Sequence, residues 1–280
     1  MLFQIIVLVL VGFAALWKIW KFKNANRWSL LRDEWSKIGK DVVVLHQFQR
    51  GKTCPNISPF ALKVESFLRV ANIKYKVEEE KTHGPTRGKC PWITFNGDEV
   101  EDSELIINYL TKNFDIHLDD HLTTKKKANL HALRILGDEH LFWLVCTYRY
   151  VHDKCNIIIS TQSFPWFISL AFRTLMPYFM QRKASHHGIG LFTHEELYQM
   201  CYKSCQTLSY TLDNDSYFGG EQPCTTDCCM FGHLAQLMWN APGTRYEALL
   251  KEEFPNLAEY CDRMKNFVFP DWNQLLKPPQ

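Results

Sequence analysis

At 280 residues the chain is long enough to bury one large core or two ordinary ones. Its 46% hydrophobic and 22% charged residues are those of a globular protein. A net charge of +2, with no basic stripe interleaved with aromatics, excludes nucleic-acid binding as the organising theme.

The first residues stand apart from the globular part. Leu2 to Trp17 is apolar except for Gln4 and Gly12. Sixteen helical residues reach only roughly 24 Å, short of the roughly 30 Å of a bilayer core. Continuing through Ile19, Trp20 and Phe22 closes the gap if Lys18 and Lys21 snorkel outward. Trp17 and Trp20 then occupy the place of interfacial aromatics. Lys18, Lys21, Lys23 and Arg27 all follow the apolar run and no charged side chain precedes it. The pattern predicts a transmembrane anchor over 1–23 with the body of the protein on the cytosolic side. Its short apolar length leans toward a thin internal bilayer, an endomembrane such as the lysosomal one. The alternative is a cleaved signal peptide, against which the missing basic n-region counts. Asn56-Ile57-Ser58 and Asn214-Asp215-Ser216 are formal glycosylation sequons, and a glycan on either would overturn the cytosolic placement.

Residues 24–40 read as a polar tether with an amphipathic flavour (Trp28, Leu31, Trp35, Ile38). Asp41 to Phe48 is rich in β-branched residues and predicts a buried strand. After a loop containing Gly51 and Pro55, Ser58 has the character of an N-cap with Pro59 at the first helical position. Phe60, Leu62, Val64, Phe67, Leu68 and Val70 follow at mostly helical spacing. "IKYKVEEE" predicts a second, more exposed strand. Beyond the basic loop Lys81 to Lys89 lie two short β-runs separated by Asn96-Gly97, a strong hairpin signal. "DSELIINYLTKN" is then a helix with Leu105, Ile106, Tyr109 and Leu110 as its apolar positions. From Thr124 onward long apolar-periodic segments predict helices at roughly 124–151, 163–182, 193–214, 226–240, 244–253 and 256–268. The expected architecture is α+β followed by all-α: a domain over 41–115, a helical domain over 122–270 and a tail over 271–280. Five of the ten cysteines (Cys146, Cys201, Cys205, Cys228, Cys229) fall inside the helical patterns, which favours reduced, buried thiols over a disulfide frame.

The first half has the layout of a thioredoxin-like domain, and the two halves together resemble the glutathione S-transferase fold over about 41 to 270. More narrowly, "PNISPFALKVESFLRVANIKY", "DSELIINYL", "YFGGEQPCTTDCCMFGHLAQ" and "FPNLAEYCDRMKNFVFPDW" resemble the metaxin-related failed-axon-connections family, which includes cadmium-responsive proteins. The resemblance implies a glutathione pocket. Ser58 matches the catalytic position at the start of the first helix, where unpaired N–H groups and a partial positive charge stabilise a thiolate. Pro91 matches the family's cis-proline, beside which the backbone of Cys90 would bond a peptide-like ligand. Asp102 and Ser103 match the acidic-Ser pair that grips the γ-glutamyl end of glutathione. Ser58, Asp102 and Ser103 would equally serve as plain helix caps.

The chain also departs from the active pattern. It has no Cys-x-x-Cys, and no tyrosine lies near the first strand-to-helix turn. The transferase capping box of the second half becomes Cys224 and Asp227, a weakened reciprocal pair. His140 is a candidate general base. Cys201 and Cys205, Cys224 and Cys228, and Cys229 and His233 are each four apart and would share a helix face, but small buried thiols account for them without a metal, and none is expected. Two functions follow from the resemblance. One is a membrane-anchored transferase-like protein that binds glutathione or another small thiol or peptide, with weak conjugating or reducing activity in stress or metal detoxification. The other is a non-catalytic, metaxin-like scaffold with protein partners in organelle or axon development.

Overall fold

The computed structural model describes residues 22–278. The anchor expected over 1–23 lies outside the described residues except for its last two. Among the described residues no helix is long and apolar enough to cross a membrane.

Four short strands, β1 (Val43–His46), β2 (Tyr75–Glu78), β3 (Trp92–Phe95) and β4 (Asp98–Glu101), form one mixed sheet in the order β2-β1-β3-β4. β1 runs parallel to β2 and antiparallel to β3. All four residues of β1 are buried, so both faces of the sheet are covered. Because side chains alternate along a strand, Val43 and Leu45 point to one face and Val44 and His46 to the other. The first face packs against helices α2 (Pro59–Val70) and α3 (Ser103–Asn113) through Val64, Phe67, Leu68, Ile106 and Leu110. The second face is covered by a helix over residues 22–36, α1, whose Leu31 and Trp35 are buried against Val44 and Trp92.

The stretch read as a tether is therefore a docked helix. Arg27 holds Glu80 through two hydrogen bonds of 2.8 and 2.6 Å, and Arg32 holds Glu99 through two of 2.6 and 2.9 Å. His46 lies inside this contact, stacked 3.6 Å from Trp92 and edge-on to Trp35.

The helical half starts with α4 (Thr124–Ile135), which runs on through a π-helical turn (Leu136–Leu141), α5 (Phe142–Cys146) and a second π-helical turn (Thr147–His152). There follow α6 (Asn156–Thr161), α7 (Trp166–His187), α8 (His194–Leu212), α9 (Thr225–Met238), α10 (Arg245–Ala248), α11 (Pro255–Val268) and α12 (Trp272–Leu275). Every residue of α9 is buried, and this helix is the axis of the domain. Its N-terminus is better capped than the sequence suggests. Asp227 accepts hydrogen bonds from the backbone N–H groups of Cys224, Phe218 and Gly219 at 2.8, 2.8 and 3.1 Å. The expected tail is also part of the core: Trp272 is buried against Phe231, Trp239 and Phe269. All ten cysteines are free thiols, and only Cys90 is not buried.

Burial pushes the His46 imidazole down to about 3. The unfolded chain, with a histidine near 6.5, takes up that proton first, so stability falls as pH drops below about 6.5. Between pH 7 and pH 5 this one group removes about 2 kcal/mol. Urea unfolding at the two pH values measures the loss. In a His46→Phe variant the pH dependence should shrink by about that amount, and an undiminished dependence contradicts the assignment.

Candidate functional site

A cleft of about 650 Å³ lies on the seam between the two halves. The start of α2 forms its floor. Pro59 occupies the first helical turn, and the Ser58 hydroxyl accepts from the Ala61 N–H at 3.3 Å. The incoming loop is fixed from below: Asn56, fully buried, donates its side-chain amide to the Phe48 carbonyl and accepts the Ser58 N–H at 2.9 Å. The backbone carbonyl of Asn56 in turn receives the side-chain amides of Gln236 and Asn240. Buried Arg149 donates to the side-chain and backbone oxygens of Gln236 and to the Asn240 carbonyl. An asparagine held this way cannot carry a glycan in the folded protein.

The start of α3 supplies the facing wall. Asp102 caps the helix by accepting from the Glu104 N–H at 3.1 Å, with φ at +86°. Ser103 is nearly buried, and its hydroxyl has no hydrogen-bond partner among the described residues. The Cys90–Pro91 peptide is cis. Cys90 lines the cleft, while Pro91 is buried behind it. The loop before Cys90 is shaped by Glu101, whose carboxylate accepts the backbone N–H groups of Thr86, Arg87 and Lys89 at 2.6, 2.9 and 3.1 Å. Burial alone would raise that carboxyl, but the three N–H donors prevail and hold it below its ordinary range. The opposite wall comes from the helical half: Asp138 and Glu139 on the first π-helical turn, Phe142 and Trp143 beyond them, and His233 from α9.

Ser58, Cys90, Asp102 and Ser103 thus line one cleft. His140 does not line it; His233, paired with Asp138, does. Sequence reasoning also missed Lys63, which is fully buried on α2 below the cleft. Its ammonium lies 2.6 Å from Asp138 and 3.0 Å from Glu104. The other oxygen of Asp138 accepts from His233 at 2.9 Å and from the Cys229 thiol at 3.3 Å. Only Cys229 and His233, four apart on one helix face, are signalled locally; Lys63, Glu104 and Asp138 are far apart in sequence and join them through packing. Asp138, Cys229 and His233 bring three metal-type donor atoms within 4.8 Å of one another. They could hold a cation, yet Asp138 is already neutralised by Lys63.

Close backbone approach makes the cluster possible. A Cβ on Gly232 would lie 2.5 Å from the Pro59 carbonyl oxygen and 3.1 Å from the Lys63 backbone nitrogen.

The electrostatics decide which groups can react. Burial would raise the Asp138 carboxyl, but the His233 hydrogen bond and the Lys63 charge hold it well below the carboxylate range. Burial would lower the Lys63 ammonium, but the carboxylates of Asp138 and Glu104 keep it raised and charged. Burial dominates at His233 and lowers it despite its contact with Asp138, so the ring is neutral at pH 7. Burial pushes the thiols of Cys90 and Cys146, the two that line the cleft, up to about 12. Neither is a thiolate at neutral pH.

Removing one partner of a buried ion pair strands the other. Lys63→Met should therefore cost about 3 kcal/mol in urea unfolding. The double variant with Asp138→Asn should cost clearly less than the two single losses combined. Strict additivity would show that the pair does not join the halves.

Comparison with known proteins agrees with this geometry. A family model described as the glutathione S-transferase N-terminal domain matches residues 59–155, and one described as the glutathione S-transferase C-terminal domain matches residues 201–264. The chain is 30% identical over 253 residues to failed axon connections of Drosophila melanogaster, covering 84% of this chain and 60% of that protein. It is 23% identical over 220 residues to metaxin-2 of Mus musculus, covering 76% and 83%. Among solved structures, a beta-etherase from Sphingobium sp. strain SYK-6 superposes with a TM-score of 0.58 at 19% identity, covering 80% of this chain and 94% of that one. The thioredoxin-like sheet with its helical partner domain is the glutathione S-transferase fold, and the chain belongs to the metaxin-related, glutathione S-transferase-like family that includes failed axon connections.

Proposed function

We propose that the cleft binds glutathione or a closely similar small thiol peptide, in a protein tethered to a membrane by its N-terminal apolar run. One observation carries the reading: Ser58, Cys90, Asp102 and Ser103 line a single cleft at which the starts of α2 and α3 both end. The start of α3 offers free N–H groups and the partnerless Ser103 hydroxyl to a carboxylate. Asp102 faces the ammonium end of the same ligand. Ser58 and the partial positive charge at the start of α2 receive the thiol.

Binding is better supported than turnover. The Ser58 hydroxyl accepts from Ala61 and keeps its O–H to donate to a ligand thiol, but neither cleft cysteine, Cys90 nor Cys146, ionises at neutral pH. This favours a ligand-responsive scaffold, with any conjugating activity weak. The name of failed axon connections points this scaffold toward axon development, with stress or metal detoxification as the alternative setting.

Calorimetry of the full chain in detergent micelles tests it. Glutathione should bind in the millimolar range or tighter. Ser103→Ala removes a hydrogen bond to a charged group and should weaken binding about tenfold. Ser58→Ala should leave affinity within about threefold, because the thiol contributes little to binding. The absence of binding at millimolar glutathione ends this reading.

A further inference from the structure

We propose that α7 is a bilayer-contact surface whose partner is an anionic lipid headgroup layer. The inference extends the membrane-tethered reading above to a second, separate point of contact.

α7 is 22 residues long, and Ala184 is its one buried residue. Trp166, Phe167, Leu170, Leu175, Tyr178 and Phe179 all stand more than half exposed. Phe167, Leu170, Ala171, Thr174, Tyr178 and Arg182 recur at helical spacing along one side, and Trp166, Leu175 and Phe179 flank it, so the exposed apolar surface wraps a broad part of the helix. A soluble protein rarely leaves so many large apolar groups together on one element without a partner. The chemistry of the helix selects that partner. No carboxylate occurs between Asp153 and Glu195, whereas Arg173, Arg182 and Lys183 all lie on α7. Exposed large apolar and aromatic groups interleaved with cations, and free of anions, complement an anionic lipid headgroup layer. A second copy of the chain fits poorly. Isologous pairing would set Arg173 and Arg182 against themselves, with no carboxylate on the helix to answer them.

The placement also concerns the cleft. Met176, Met180, Lys183 and His187 recur along the other edge of α7 and line the cleft. With its apolar surface seated in the headgroups, α7 is at once a cleft wall and the membrane face.

The test uses the full chain in phosphatidylcholine vesicles with and without phosphatidylserine. A photo-crosslinking benzoylphenylalanine replaces Phe167 or Tyr178, with the exposed Tyr210 of α8 as the control position. Both α7 positions should crosslink to lipid several-fold more than position 210. The yield should drop when phosphatidylserine is omitted and when Arg173→Gln and Arg182→Gln are combined. Vesicle flotation is read in parallel. If the chain floats but the α7 positions stay uncrosslinked, or crosslink to a second copy or another protein, α7 is not a lipid surface although the tether stands. If the chain does not float at all, both fail.

Discussion

A buried ammonium lies at the joint between the two halves of this protein. Lys63 sits on the helix that carries Ser58 and has no exposed surface. It is charged because two carboxylates, Glu104 from α3 and Asp138 from the helical half, meet it inside the seam. A buried cation without such partners would be prohibitively costly, so the pairing dictates that α2, α3 and the first π-helical turn converge. Packing fixes the same geometry independently, since Gly232 lets α9 lie against the backbone of Pro59 and Lys63. The cleft is the space left open above this joint, and its shape is set before any ligand arrives.

The polar groups beneath the cleft are arranged to hold main chain, not to perform chemistry. Arg149, Gln236, Asn240 and Asn56 are linked through neutral carbonyls and amides, and together they hold the loop that delivers Ser58 to its helix. Glu101 does the same for the loop that delivers Cys90. What remains for a ligand are helix starts, the Ser103 hydroxyl and an apolar wall of Phe142 and Trp143. Such a surface recognises charge and shape. With the thiols of Cys90 and Cys146 protonated, it holds no thiolate of its own to serve as a nucleophile.

Much of this could be read from the sequence, where the signals were local. Ser58-Pro59 marked a helix start, Asn96-Gly97 a hairpin and Asp102-Ser103 a second helix start, and each lies where those local rules put it. What could not be read depended on contacts distant in sequence. Trp28, Leu31 and Trp35 were spaced for a helix face, but nothing local revealed that one face of the sheet lacked a cover. Lys63 and Asp138 lie 75 residues apart. A lone lysine in an apolar pattern reads as a solvated exception until its partner is seen. Trp272 looked like part of a tail because its neighbours in the chain are polar, and only the aromatic cluster on α9 explains its burial. The place of His140 in the chain suits either a base or a packing residue, and the fold gives the cleft position to His233.

The central claim is that α2 and α9 form one cooperative unit around the Lys63 joint, so that the cleft is prebuilt and not assembled by its ligand. Native-state hydrogen exchange on the ligand-free full chain, followed residue by residue along the two helices, measures this directly. The account predicts that the core amides of α2 and α9 open with the same free energy, in the same global event. Early opening of α2 while α9 stays protected would contradict it.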